Sequence, residues 1–85
     1  MDDIIGYDPP DPLIKIIINE MIKCEDPDNE QKIINRFRNE LNADLQFITI
    51  EVIKISIFIA ELKQDYFYMQ LENQKYWLKI LENLN

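Results

Sequence analysis

Glu25, Asp26, Asp28 and Glu30, four carboxylates within six residues, are the densest chemical resource in this sequence. Paired acids do acid–base chemistry of the glycosidase type or hold divalent metals. A calcium loop opening at Asp26 needs a glycine at its sharp turn and a bidentate glutamate at its twelfth position. The sequence has no glycine there, and its twelfth position is Phe37, so that chemistry is excluded.

The rest of the reactive inventory is thin. There is no histidine, which removes the usual proton shuttle near neutral pH and the commonest metal ligand. Gly6 is the only glycine, so no glycine-rich phosphate loop is available. Thr49 and Ser56, the only aliphatic hydroxyls, lie in an isoleucine-rich run, where a hydroxyl bonds a backbone carbonyl more readily than it attacks a substrate. Cys24 has no second cysteine for a disulfide and no companions for a metal set. Arg36 and Arg38 are expected to neutralise the nearby acids rather than to clamp an anion. The residues point away from an enzyme and call for no cofactor or metal.

Charge carries more information than any motif. Residues 1–30 hold nine acids against Lys15 and Lys23, a balance of −7, whereas residues 31–85 hold seven of each sign. An acidic region of that kind repels nucleic acid and anionic lipid and speeds approach to a basic surface. Direct nucleic-acid binding is therefore not expected. Asp2, Asp3, Asp8, Asp11, Glu25, Asp26, Asp28 and Glu30 are the candidate partner contacts, by steering toward a basic protein or by mimicry of phosphates. Several of the same acids also stand where helix starts favour them.

The elements that must position these residues can be read from local signals. Residues 1–11 carry two adjacent prolines and the lone glycine and read as an extended acidic arm. Asp11-Pro12 caps and opens a helix over about 12–24, with Ile14, Ile17, Ile18, Met21 and Ile22 on one face. Asp26-Pro27 breaks the chain and caps it again, with Asp28 and Gln31 spaced as a capping box. A second helix over about 28–41 then shows the stripe Ile33, Ile34, Phe37 and Leu41. Asn42 is a weak boundary, with Asp44 as the expected cap of the next element.

The stretch LQFITIEVIKISIFIAEL, residues 45–62, is apolar on nearly every face. Glu51 and Lys54 near its middle argue against a membrane span. Its β-branched residues permit an α+β alternative with strands at about 46–60 and 66–72. The helical reading explains more. Leu45, Ile48, Val52, Ile55, Ile59, Leu62, Tyr66, Met69, Asn73, Tyr76 and Ile80 alternate spacings of three and four, a heptad seam with one polar interruption. An unbroken helix over 44–83 spans about 60 Å. It must either break near Gln64 and Asp65 and fold back as a hairpin, or pair with a second copy along the seam, Val52 to Ile80. Tyr68 and Trp77 fall off that seam and are expected as exposed aromatic contacts.

The expected fold is all-α: one small domain over 1–85, two short helices and a long heptad-patterned one, packed as a bundle or a coiled-coil-like homodimer. The expected function is a non-enzymatic acidic interaction module that occupies a basic surface of another protein, as an inhibitor or adaptor. An antitoxin or immunity protein, an export chaperone and a structural oligomerisation subunit are the alternatives. Met1-Asp2-Asp3 is acidic where a secretory signal is basic, and a single thiol suits a reducing compartment, so a cytoplasmic location is expected. Sixteen isoleucines and eight asparagines fit an AT-rich, phage-like coding origin.

Overall fold

A computed structural model describes residues 11–63 and 70–84. The fold is all-α: α1 (Pro12–Lys23), α2 (Pro27–Glu40), α3 (Ala43–Lys63) and α4 (Leu71–Glu82) form a helical bundle, and there is no strand among the described residues. Residues 46–60, the first strand of the α+β alternative, lie wholly within α3, and residues 71 and 72 of the second open α4. Residues 66–69 lie outside the described residues.

Each of the first three helices starts on a polar cap. Asp11 accepts from the Leu13 amide at 2.8 Å, with Pro12 at the first helical position. Asp26 accepts from the Asn29 amide at 2.9 Å, again with proline after it. The expected capping box does not form, because with Asp26 as the cap its third position is Asn29. The side-chain amide of Asn29 also donates to Asp26, at 3.1 Å, while Gln31 donates to Asn35. The start of α3 is capped by Asn42 rather than Asp44: the Leu45 amide donates to Asn42 Oδ1 at 2.9 Å, two residues earlier than expected. Both corrections have one cause, since a capping side chain reaches only the free amides two or three residues after it.

With no glycine after Gly6, no left-handed C-cap can close these helices at the low cost glycine offers, and the last carbonyls need other donors. Gln46, in the first turn of α3, supplies one. Its Nε2 donates to Leu41 O at 2.9 Å and reaches Phe37 O at 3.3 Å, tying the end of α2 to the start of α3.

The long helix takes the hairpin route. α3 ends at Lys63 and α4 returns antiparallel to it. Lys54 pairs with Glu82 at 3.3 Å and Glu61 with Lys75 at 3.1 Å, so the contacts advance along α3 as they retreat along α4. At roughly 1.5 Å per residue α3 is about 31 Å long, matching the 31 Å longest extent of the described residues. Ile14, Ile17, Ile18 and Met21 of α1 meet Ile33, Ile34 and Phe37 of α2, with Leu41 beyond it, in one core. Val52, Ile53 and Ile57 of α3 and Trp77 and Leu81 of α4 complete it.

Within the chain the buried line is not the heptad seam. α3 buries Thr49, Val52, Ile53, Ser56, Ile57 and Ala60, and α4 buries Gln74, Trp77 and Leu81. On α4 each buried residue stands one position after an expected seam residue, Asn73, Tyr76 or Ile80. Of the described seam residues from Val52 onward only Val52 is fully buried. Ile55, Ile59 and Ile80 are half-buried, and Leu62, Asn73 and Tyr76 are exposed. Tyr66 and Met69 lie outside the described residues. Spacing alone could not choose among the faces of a helix apolar all round; the neighbouring helices chose.

No helix among the described residues is long and apolar enough to cross a membrane. The two hydroxyls of α3 part company. Thr49 Oγ1 donates to Leu45 O at 2.7 Å, as a helical hydroxyl is expected to. Ser56 Oγ is buried without a hydrogen-bond partner among the described residues.

Candidate functional site

The link between α1 and α2 is short and extended: Cys24 ends α1 at φ −72°, ψ 128°, and Asp26 opens α2 at φ −143°, ψ 160°. This turn throws Glu25 and Asp26 outward, and the first turn of α2 adds Asp28 and Glu30 beside the positive end of the helix dipole. The helix thus stabilises a concentration of negative charge that it also displays.

The returning α4 brings aromatic surface to that corner. Tyr76 donates its hydroxyl to Glu30 Oε2 at 2.6 Å. Its ring meets Trp77 edge to face, with centroids 6.1 Å apart and planes at 82°. The hydrogen bond to Glu30 holds the Tyr76 phenol above the usual tyrosine range, and desolvation and the charge of Glu30 push the same way. A cleft of about 300 Å³ lies between, lined by Cys24, Glu25, Asp26, Pro27, Glu30, Asn73, Tyr76 and Trp77. Three of those residues are carboxylates and none is a lysine or arginine, so the cleft suits a cationic side chain that stacks on an aromatic face.

A second cleft of about 400 Å³ opens on the other side of Cys24, lined by Glu20, Lys23, Asn29, Lys32, Ile33 and Arg36. Its charges are mixed. Arg36 does not neutralise the acidic turn as expected; it lies about ten residues, roughly 15 Å along α2, from Asp26. It pairs instead with Glu20 of α1 and, at 3.1 Å, with Glu40 one turn on. Hydrogen bonds to Glu40 first and Glu20 second raise its pKa further.

The candidate contacts are thus divided by the fold. Glu25, Asp26, Glu30 and Trp77 converge on the cleft, although Trp77 is far from the acids in sequence. Asp28 is exposed beside it, and Asp11 sits at the opposite end of α1, about 18 Å away at roughly 1.5 Å per residue. Asp2, Asp3, Asp8 and Tyr68 lie outside the described residues. Trp77 needs correction: it is 2% exposed and belongs to the core, although it also lines the cleft. The hairpin turns it inward, and Tyr76, expected in the seam, takes the outer position at 52% exposed.

Sequence reasoning did not place Tyr76 at this corner, because nothing local links residue 76 to residue 30. Among the described residues no three of histidine, cysteine, aspartate and glutamate converge to hold a metal ion. Comparison with protein-family models, curated proteins and solved structures finds no match to this chain.

Proposed function

We propose that the protein is a non-enzymatic interaction module whose acidic corner receives a basic surface of another protein, acting as an inhibitor or adaptor in the cytoplasm. The observation that carries this reading is the cleft in which Glu25, Asp26 and Glu30 face Tyr76 with no cation of the chain among its lining residues. An arginine or lysine entering there meets carboxylates already held in place, Asp26 by its capping bonds and Glu30 by the Tyr76 hydroxyl. Preorganisation of that kind lowers the ordering cost of binding, and the exposed charges around it raise the rate of encounter.

Affinity capture from the native host with wild-type bait, against bait carrying Glu25→Lys and Asp28→Lys, tests the reading. Both substitutions are at exposed positions and spare the Asp26 cap. One stoichiometric basic partner, retained at low salt and lost both at high salt and with the variant, is the expected result. A partner indifferent to salt and to both substitutions overturns it. Toxin capping by an antitoxin or immunity protein is the same surface chemistry with a different partner.

A second reading, a self-associating structural subunit, draws on the outer face of α3. There Phe47, Phe58 and Leu62 are exposed on a helix whose other faces are also apolar.

A further inference from the structure

We infer that α3 pairs with α3 of a second copy, antiparallel and about a two-fold axis between Val52 and Ile53, through Phe47, Ile50, Glu51, Lys54, Ile55 and Phe58. This deepens the self-association reading and is independent of the acidic corner.

The central segment of α3 is nearly symmetric in sequence. Residues 47–58 read FITIEVIKISIF; reversed, they read FISIKIVEITIF. Every apolar residue exchanges with an apolar residue, Thr49 exchanges with Ser56, and the one charged position exchanges Glu51 with Lys54. In a two-fold interface, residue i of one copy meets residue j of the other, and j meets i. Antiparallel helices centred on this segment therefore set Phe47 against the partner's Phe58, Ile50 against the partner's Ile55, and Glu51 against the partner's Lys54.

The fold leaves the right face free. Residues turn by about 100° each along a helix, so Phe47 and Phe58, three turns apart, lie almost on one line. Glu51 and Lys54 flank that line closely, and Ile50 and Ile55 flank it more widely. The line is opposite Thr49, Val52, Ile53, Ser56 and Ala60, which α3 buries in its own bundle. Phe47 and Phe58 are 64% and 63% exposed, while Ile50, Glu51 and Ile55 are half-buried. A face that presents two phenylalanines and two isoleucines around one acid and one base is complementary to itself.

Charge selects the direction. A parallel pair sets Glu51 against the partner's Glu51 and Lys54 against the partner's Lys54, and like charges repel. The antiparallel pair alternates Glu51 and Lys54 of the two copies about the axis, extending the in-chain contacts of Lys54 with Glu82 at 3.3 Å and with Glu51 at 3.5 Å. Toward the ends Asp44 approaches the partner's Glu61, and Lys75 already holds Glu61 at 3.1 Å.

Light scattering across a concentration series, with the intact chain, reads the mass. Twice the 10.2 kDa of one chain is expected. Phe58→Asp, at an exposed position, should give the single-chain mass with unchanged helical circular dichroism. Cross-linking reads the register in a Cys24→Ser background. Chains carrying Phe47→Cys and chains carrying Phe58→Cys should form a disulfide with each other when mixed and oxidised, and neither should do so alone. Like positions stand about 16 Å apart along the axis, beyond the roughly 7 Å a disulfide tolerates. A concentration-independent single-chain mass, a dimer that survives Phe58→Asp, or efficient cross-linking of either cysteine chain alone overturns the inference. These readouts are separate from salt-sensitive capture by the acidic corner, so either idea can fail without the other.

Discussion

Two side chains, Ser56 and Tyr76, depart from ordinary helical chemistry. Ser56 buries a hydroxyl that no described residue bonds, in a helix whose other hydroxyl, Thr49, satisfies itself on the preceding turn. An unmet buried polar group costs about 1–3 kcal/mol. Ser56→Ala should therefore raise stability by about 1 kcal/mol, read as a higher urea midpoint at unchanged slope. Tyr76 is the second. Its phenol is held above the ordinary tyrosine value of about 10, first by donation to Glu30 and then by desolvation and that residue's charge. A group whose folded pKa is raised contributes stability that is complete below its unfolded pKa and lost as pH climbs through the folded one. The protein should therefore keep this contribution up to about pH 10 and lose it above. Ultraviolet titration should find Tyr76 ionising late. Tyr76→Phe should remove that late step and leave urea stability nearly flat across the same alkaline window with respect to this group.

At the scale of the element, helix ends decide more than helix interiors. The starts of α1 and α2 were legible because Asp11-Pro12 and Asp26-Pro27 each set a capping residue before a proline, and each aspartate accepts the amide its position demands. The end of α2 was not legible. Gln46 closes it from the next helix, and only the turn at Leu41 to Asn42 brings that side chain within reach of three carbonyls. Gln46→Leu keeps much of the volume but removes the donor, leaving partly buried carbonyls unmet. A loss of about 1–2 kcal/mol is expected, with the earliest amide exchange at residues 38–42 as the local readout.

The whole molecule is a bundle because α4 folds back on α3, and Trp77 is the largest side chain that α4 buries in that return. It is the only tryptophan, it is almost wholly buried, and it joins α4 to the core of the other three helices. Trp77→Ala should cost about 3–5 kcal/mol, a large share of the roughly 5–15 kcal/mol typical of a domain. Thermal unfolding should shift down steeply, and in the native wild type the tryptophan emission should be blue-shifted and should redden only in the global transition. A surface contact residue would show neither behaviour.

What the sequence determined by itself is what can be written within a few residues. Asp-Pro caps, three-and-four spacing, the absence of glycine after Gly6 and the concentration of acids in the first 30 positions favoured the helical class and marked the first two helices and the sign of the exposed corner. Tertiary structure alone decided which face of α3 is inside, that Trp77 points inward and Tyr76 outward, and that residue 76 completes a cleft with residue 30. The reason is physical. A helix apolar on every side has no preferred buried face of its own, so its orientation is set by contacts with segments distant along the chain, and no local pattern records them.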